Sequence, residues 1–331
     1  MSQTTEAAIE WPISFDDVRA ARDRIAPYVQ PTPLRAYPQL SELAGAGMQV
    51  FAKHENHQPT NSFKIRNGLS FMTALTAEER KRGVVAASTG NHGQGIAYGG
   101  KLLGVSTTIC VPAGNNPEKN AAMRAYGAEL IECGRDFDEA REKVEQLQFE
   151  RGLRYVHSGD EPLLIAGVAT YALEMFTDRP DVEVVLVPIG GGSGACGCAL
   201  VRTWLGSRAK VIGVQAARAD AFARSWRSGT RVVGESADTF AEGMATRVTF
   251  DLPYGILRRE LDDVVTLTEE ELAAGVRLAL RTTHNLAEGA GASSLAAAVK
   301  LRESLAGKKI AAVMSGGNID LEKLKRVLAP H

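Results

Sequence analysis

The chain has 331 residues, 44% of them hydrophobic and 23% charged, and its 38 Lys+Arg against 39 Asp+Glu leave a formal net charge of −1. That length carries one large or two moderate domains with ample core, and a near-neutral balance without a long basic run excludes a reader of the nucleic-acid phosphate backbone. No apolar run reaches the ~20 residues that span a bilayer, the opening MSQTTEAAIEWP has neither the basic start nor the apolar core of a signal peptide, and the four cysteines (Cys110, Cys133, Cys196, Cys198) are too few for a disulfide framework, so a cytoplasmic protein is expected.

Ser14 and Asp17 fit a capping box, with Ile13 and Val18 as its hydrophobic staple, so a helix opens here and stops by Pro27. PTPL (31–34) leads out extended. QVFAKHE (49–55) reads as a strand, followed by a turn carrying Lys64 and a helix through GLSFMTALT (68–76). From GVVAAST (83–89) onward, apolar β-rich runs alternate with helical stretches: helix 92–104, strand 106–112, helix 116–127, strand 128–134. The pattern resumes with strands in DVEVVLVPIGGG (181–192), AKVIGVQ (209–215) and KKIAAVMSGG (308–317). Between them Thr268 and Glu271 make a second capping box, with Leu267 and Leu272 as staple, opening an amphipathic helix read as scaffold. Alternation of this kind predicts an α/β fold of open, mostly parallel twisted sheets with helices on both faces, here two sheet systems sharing a cleft.

Three strand ends run into glycine-rich turns: STGNHGQG (88–95), GGGSGACG (190–197) and SGGN (315–318). Ligands of open parallel sheets sit beyond the carboxyl ends of the strands, where glycines admit an anion to backbone N–H groups and a following helix adds its positive end. A phosphate is expected on the second turn. Gly192, Gly194 and Gly197 also spell G-x-G-x-x-G, which keeps a nicotinamide-dependent oxidoreductase as an alternative of another class; against it, the next strand ends in the uncharged Gln215 where that fingerprint needs a carboxylate. In QPTNSFKIRNG (58–68), Lys64 is fenced by Pro59, Thr60, Asn61, Phe63, Ile65, Asn67 and Gly68, a setting no surface lysine needs. A phosphate turn together with a sequestered amine points to pyridoxal 5′-phosphate, which carries a phosphate and an aldehyde that condenses with lysine.

KHENHQPTNSFKIRNG, ASTGNHGQGIAYGGKLLG, PIGGGSGACG, TFAEGMA, EGAGASSLAA and MSGGNID occur in this order and span nearly the whole chain. With them the sequence resembles the fold type II pyridoxal-phosphate enzymes (tryptophan synthase β-like), specifically the serine/threonine dehydratase and serine racemase group. The resemblance implies a larger domain formed by 1–60 and 157–331 and a region 61–156 containing a small mobile domain, its core about 80–156. It implies that Lys64 is the Schiff-base lysine, that Phe63 packs near the ring, that Asn91 bonds the ring's 3′-oxygen, and that Gly190, Gly191, Gly192, Ser193 and Gly194 cradle the phosphate. Ser315 would face the pyridine nitrogen, Glu288 would sit near the ring and Gly243 along it. Ser88, Thr89, Gly90 and His92 would line the loop receiving the substrate carboxylate, with Asn61 near the substrate. A neutral Ser315 suits expulsion of a β-leaving group better than a long-lived carbanion. The implied activity is therefore an ammonia-lyase acting on a β-hydroxy α-amino acid such as threonine or serine, in a homodimer. A racemase or a β-replacement synthase are alternatives on the same fold.

The chain departs from the family pattern in several places. Asn61 replaces a glycine, and Asn67-Gly68 replaces Gly-Ala. Thr89 stands where racemases carry the hydroxyl serving the second face of the α-carbon. Gln215 and Ala221 occupy the positions of acidic ligands in the family's divalent-metal site, so no metal is expected. His54 and His57 read as polar loop residues, and Cys196 and Cys198 as small core residues behind the phosphate turn. The sequence does not continue into the regulatory extension of biosynthetic threonine dehydratases, which reads as a catabolic or specialised enzyme.

Overall fold

A computed structural model describes residues 11–135 and 137–329, and residues 1–10, most of the segment read as lacking a signal peptide, lie outside them. The first helix, Phe15–Ile25, opens with the expected reciprocal cap: Asp17 N donates to Ser14 Oγ (3.2 Å) while Ser14 N donates to Asp17 Oδ2 (2.8 Å). The box at Thr268 and Glu271 likewise opens the helix Glu269–Thr283.

Among the described residues ten strands form two sheets: β1 (Leu34–Ala36), β2 (Gln49–His54), β3 (Val84–Ala87), β4 (Thr107–Val111), β5 (Glu129–Glu132), β6 (Arg154–Tyr155), β7 (Val184–Pro188), β8 (Lys210–Ala216), β9 (Asp263–Leu267) and β10 (Lys309–Met314). The larger sheet has the order β1-β2-β10-β7-β8-β9 and the smaller β5-β4-β3-β6. Every pairing is parallel except β1 with β2. Parallel strands covered on both faces must be apolar throughout, and β3, β4 and nearly all of β10 are buried without alternation. One face of the larger sheet packs on the helices Pro162–Asp178 and Ser193–Trp204, the other on Glu269–Thr283 and Gly289–Lys300.

This order places the site. β2, β10 and β7 are neighbours with parallel register, Met314 beside His54 and Ala312 beside Leu186, so their carboxyl ends open on one edge. The segment to Lys64 follows β2, SGGN follows β10, and the glycine turn follows β7. The loop Ser88–Gly90 leaves the carboxyl end of β3 in the smaller sheet, facing them.

Several details differ from the sequence reading. The helix expected from Gly68 begins at Lys64 itself. Asn67-Gly68 looks like a turn, yet both residues are buried inside the helix because Gly68 lies against Gly95 of the helix Asn91–Leu103; a Cβ there would meet Gly95 O at 2.4 Å. β6 and β9 were not anticipated: β6 is two residues long, and β9 pairs only at the edge of its sheet. His54, read as a loop residue, closes β2 buried, its Nε2 2.8 Å from the Tyr37 hydroxyl. Burial and the neighbouring charge of His57 bring its pKa down to about 4. Cys196 and Cys198 are fully buried in the helix after the β7 turn.

Candidate active site

A cavity of about 800 Å³ opens between the two sheets, and Lys64 lies on its wall. Lys64 is the first residue of its helix, whose N-cap Phe63 is held by its backbone N–H donating to Ser315 O (3.1 Å). The amine donates to Ser193 Oγ at 3.3 Å and lies 4.8 Å from the centre of the Phe63 ring. Burial pushes its pKa down to about 8. The fence noticed in the sequence thus aims the amine inward: β2 and β10 pin the segment on one side and the Gly68–Gly95 contact presses the helix on the other.

Opposite Lys64, residues Gly190–Gly192 turn out of β7 into the helix Ser193–Trp204. Two glycines are required. A Cβ at Gly190 would stand 2.1 Å from Gly243 O, and Gly192 has φ 92°, a left-handed conformation that side chains resist. The turn presents the helix N-terminus and the Ser193 hydroxyl to the cavity, an arrangement that favours an anion. Asn67 Nδ2 donates to Leu164 O (2.8 Å) and to Ser193 Oγ (3.4 Å), tying the lysine helix to the turn.

The remaining expected residues, Ser88, Thr89, Gly90, Asn91, His92, Gly243, Glu288 and Ser315, also line the cavity, whereas Asn61 does not. Ser88 Oγ accepts from Gly90 N (3.2 Å) and Gly93 N (2.8 Å), which tightens the loop after β3. Burial first, and then the charge of Lys64, bring the His92 pKa down to about 3, so its imidazole is neutral. Asn91 Nδ2 donates to Glu288 Oε1 at 2.6 Å. Burial raises the Glu288 carboxyl above its usual range, with Lys119 and Asn91 working against it.

Sequence reasoning gave no role to Lys119, Glu242 or Asn318. Lys119 and Glu242 form an ion pair at the cavity wall, and Lys323 Nζ reaches the other Glu242 oxygen at 2.5 Å. Burial raises Glu242, and Lys119 and Lys323 more than reverse it. Glu242 and Asn318 sit inside motifs quoted above, but Lys119 stands in an ordinary helical stretch and only its partner reveals it. Gln215 argues against the dinucleotide alternative a second time: it is fully buried, its Oε1 accepting from Ala223 N (2.9 Å). Among the described residues no group of three or more His, Cys, Asp or Glu side chains is placed to hold a metal.

Residues 25–316 match the family described as "Pyridoxal-phosphate dependent enzyme". The chain is 38% identical over 316 residues to an L-threonine ammonia-lyase of Thermotoga maritima, covering 96% of this chain and 78% of that one. Among solved structures, a threonine deaminase of T.th. superposes with a TM-score of 0.87 at 35% identity over 93% of this chain and 99% of that one. Maize serine racemase superposes with a TM-score of 0.90 at 28% identity, covering 96% and 97%.

Proposed function

Because the chain belongs to the pyridoxal-phosphate-dependent enzyme family, we propose that it is a dehydratase releasing a 2-oxo acid and ammonia from a β-hydroxy α-amino acid, threonine, serine or a relative of them. The observation that carries the reading is the meeting of the Lys64 amine with Ser193 at 3.3 Å, in a cavity shared with Ser315 and the Ser88–His92 loop.

The residues fit pyridoxal phosphate. The glycine turn runs so close to its neighbours that Gly190 and Gly192 admit no Cβ, the helix behind it offers a positive end, and the amine across from it is buried. Gly190–Gly194 and Ser193 would hold the phosphate, Lys64 the aldehyde carbon, Asn91 the phenolic oxygen and Ser315 the ring nitrogen. When bound, the cofactor supplies an aldehyde that condenses with amines and a ring that draws electron density from the α-carbon. Lys64 moves the α-proton. A pKa of about 8 leaves roughly a tenth of the amine unprotonated at pH 7, against less than a thousandth for a free lysine. The Ser88–His92 loop binds the substrate carboxylate through its backbone and hydroxyls, since the neutral His92 lends no charge. Ser315 places a neutral hydroxyl where a carboxylate would strengthen the electron sink, which favours loss of the β-hydroxyl over transamination.

A second reading, racemisation beside elimination, rests on Thr89, whose position on the cavity wall would serve the second face of the α-carbon. The proposal extends to the remaining expectations. A large unit of 1–60 and 157–331 and a smaller one within 61–156 are supported by the sheet partition, β3–β6 falling between 84 and 155. A homodimer is supported by Leu321 and Leu328, exposed on one helix, and a cytoplasmic setting by unpaired cysteines.

Purified protein is expected to be yellow, to bleach with borohydride, and to release 2-oxo acid from one or more members of a β-hydroxy amino-acid panel; a chiral assay of the same mixtures reads racemisation. Lys64→Ala removes the covalent anchor and the base together and is expected to lower kcat by several orders of magnitude. A Lys64→Ala protein that stays yellow and active overturns the reading.

A further inference from the structure

Asn61 holds a left-handed backbone, φ 53°, where the resemblance leads one to expect glycine, and its side chain is not idle. Asn61 Nδ2 donates to Asn318 Oδ1 at 3.3 Å. Asn318 Nδ2 donates in turn to Asn91 Oδ1 (2.8 Å) and to Thr60 O (2.9 Å). Asn91 Nδ2 ends the row on Glu288 Oε1 (2.6 Å). Thr60 O can only accept, so it fixes which end of the Asn318 amide faces inward; Glu288, as a carboxylate, does the same for Asn91. All three amides therefore point their N–H groups the same way, and aligned hydrogen bonds polarise one another. The row runs from an exposed residue outside the cavity to one on its wall.

We propose that Asn61 is a positioning residue of this enzyme: by donating to Asn318 Oδ1 it reinforces the orientation that Thr60 O and Glu288 set along the row, and so steadies the donor that Asn91 presents to the bound cofactor. The inference rests on the cofactor reading above, in which the second N–H of Asn91 is the one that meets the phenolic oxygen.

Asn61→Asp and Asn61→Gly separate this role from a merely steric one. Aspartate has the same shape and tolerates the left-handed backbone, but its carboxylate cannot donate. It sets an acceptor against Asn318 Oδ1; relieving that contact turns the Asn318 oxygen toward Thr60 O and Asn91 Oδ1. Glycine suits φ 53° better than asparagine and removes the contact without opposing it.

The holoenzymes are compared by the absorbance maximum of the bound cofactor, and the apoenzymes by pyridoxal-phosphate titration and melting temperature. Asn61→Asp is expected to shift the absorbance maximum and to raise the cofactor Kd about tenfold. Asn61→Gly should raise it only about two- to threefold, the low end for one neutral hydrogen bond, with no loss of melting temperature. In an Asn318→Ala background, Asn61→Asp should add nothing, because the connecting link is gone. An Asn61→Asp enzyme indistinguishable from a yellow wild type, or an Asp effect that persists undiminished without Asn318, overturns this inference alone. A wild type that takes up no pyridoxal phosphate overturns the cofactor reading and this inference with it.

Discussion

Lys64 shows how one side chain can be costly to the fold and useful to the site. Its folded-state pKa of about 8 lies below the ordinary 10.5 because burial penalises the ammonium. The unfolded apoprotein therefore holds the proton more tightly, and apoprotein stability rises as pH climbs through the window from about 8 to 10.5. Lys64→Met, which keeps the volume and drops the charge, should make the apoprotein more stable at pH 7 by on the order of 1–3 kcal/mol. Urea unfolding of both apoproteins at pH 7 and pH 10 checks this, and the gap should narrow at the higher pH. Two residues on, Arg66 is the opposite case. It is buried with Glu55 (Nε–Oε2 2.8 Å) and Glu174 (Nη1–Oε1 2.7 Å), while Lys53 holds Glu174 from the other side (2.6 Å). Arg66→Ala leaves two acidic groups short of their partner and should cost about 3–5 kcal/mol, read as a fall in the urea midpoint.

Among the elements, the crossing of Lys64–Ala74 and Asn91–Leu103 decides where the Lys64 amine points. The two helices touch backbone to backbone: a Cβ on Gly68 would meet Gly95 O, and one on Gly95 would meet Lys64 O, each at 2.4 Å. The oxygen facing Gly95 belongs to Lys64 itself. Gly95→Ala cannot be absorbed by a side-chain rotation, because backbone must move, and overpacking of this kind costs typically about 1–3 kcal/mol. The displacement falls on the lysine. Gly95→Ala is therefore expected to lower cofactor affinity at least tenfold, while Gly104→Ala, which strains only the left-handed cap at φ 65° and whose Cβ meets nothing within 4 Å, leaves it unchanged. Equal affinities in the two variants would show that the crossing does not position Lys64.

At the level of the whole molecule, the two sheets are held together across the cavity by charge. Lys119, on the helix Pro117–Ala125 beside the smaller sheet, pairs with Glu242 of the other body, and Glu242 also takes Lys323. Asn116, the cap of the same helix, donates to Asp320 at 2.8 Å. Glu242→Ala strands the buried Lys119 ammonium and should loosen this closure. Hydrogen exchange across residues 107–132 should quicken, and kcat/KM should fall by about tenfold or more; unchanged exchange there would place the closure elsewhere. Gln215 and Ala221 bear on the whole molecule too. The resemblance puts the carboxylates of a hard-cation site at these two positions, and with an amide and a methyl there chelator treatment should leave activity and melting temperature unchanged; a loss restored by magnesium or calcium would contradict that.

Periodicity and caps were enough to foresee two mostly parallel sheets, because strands covered on both faces must be apolar from end to end and helices must advertise where they start. The glycine turns were legible for a related reason: a backbone that approaches a neighbour closely, or takes φ near 90°, restricts the residue type wherever it occurs, whereas Lys64 stood out only by the residues fencing it. Partnership was not legible in the same way. That Asn67-Gly68 would continue a helix rather than break it depended on Gly95, 27 positions away along the chain. That Lys119 would matter depended on Glu242, and that Asn61 would reach Asn91 depended on Asn318. Such contacts are set by the order β2-β10-β7 and by the packing of one body on the other. Local sequence fixes which conformations a segment favours, whereas a distant hydrogen bond or ion pair exists only once the sheets have brought its two ends together.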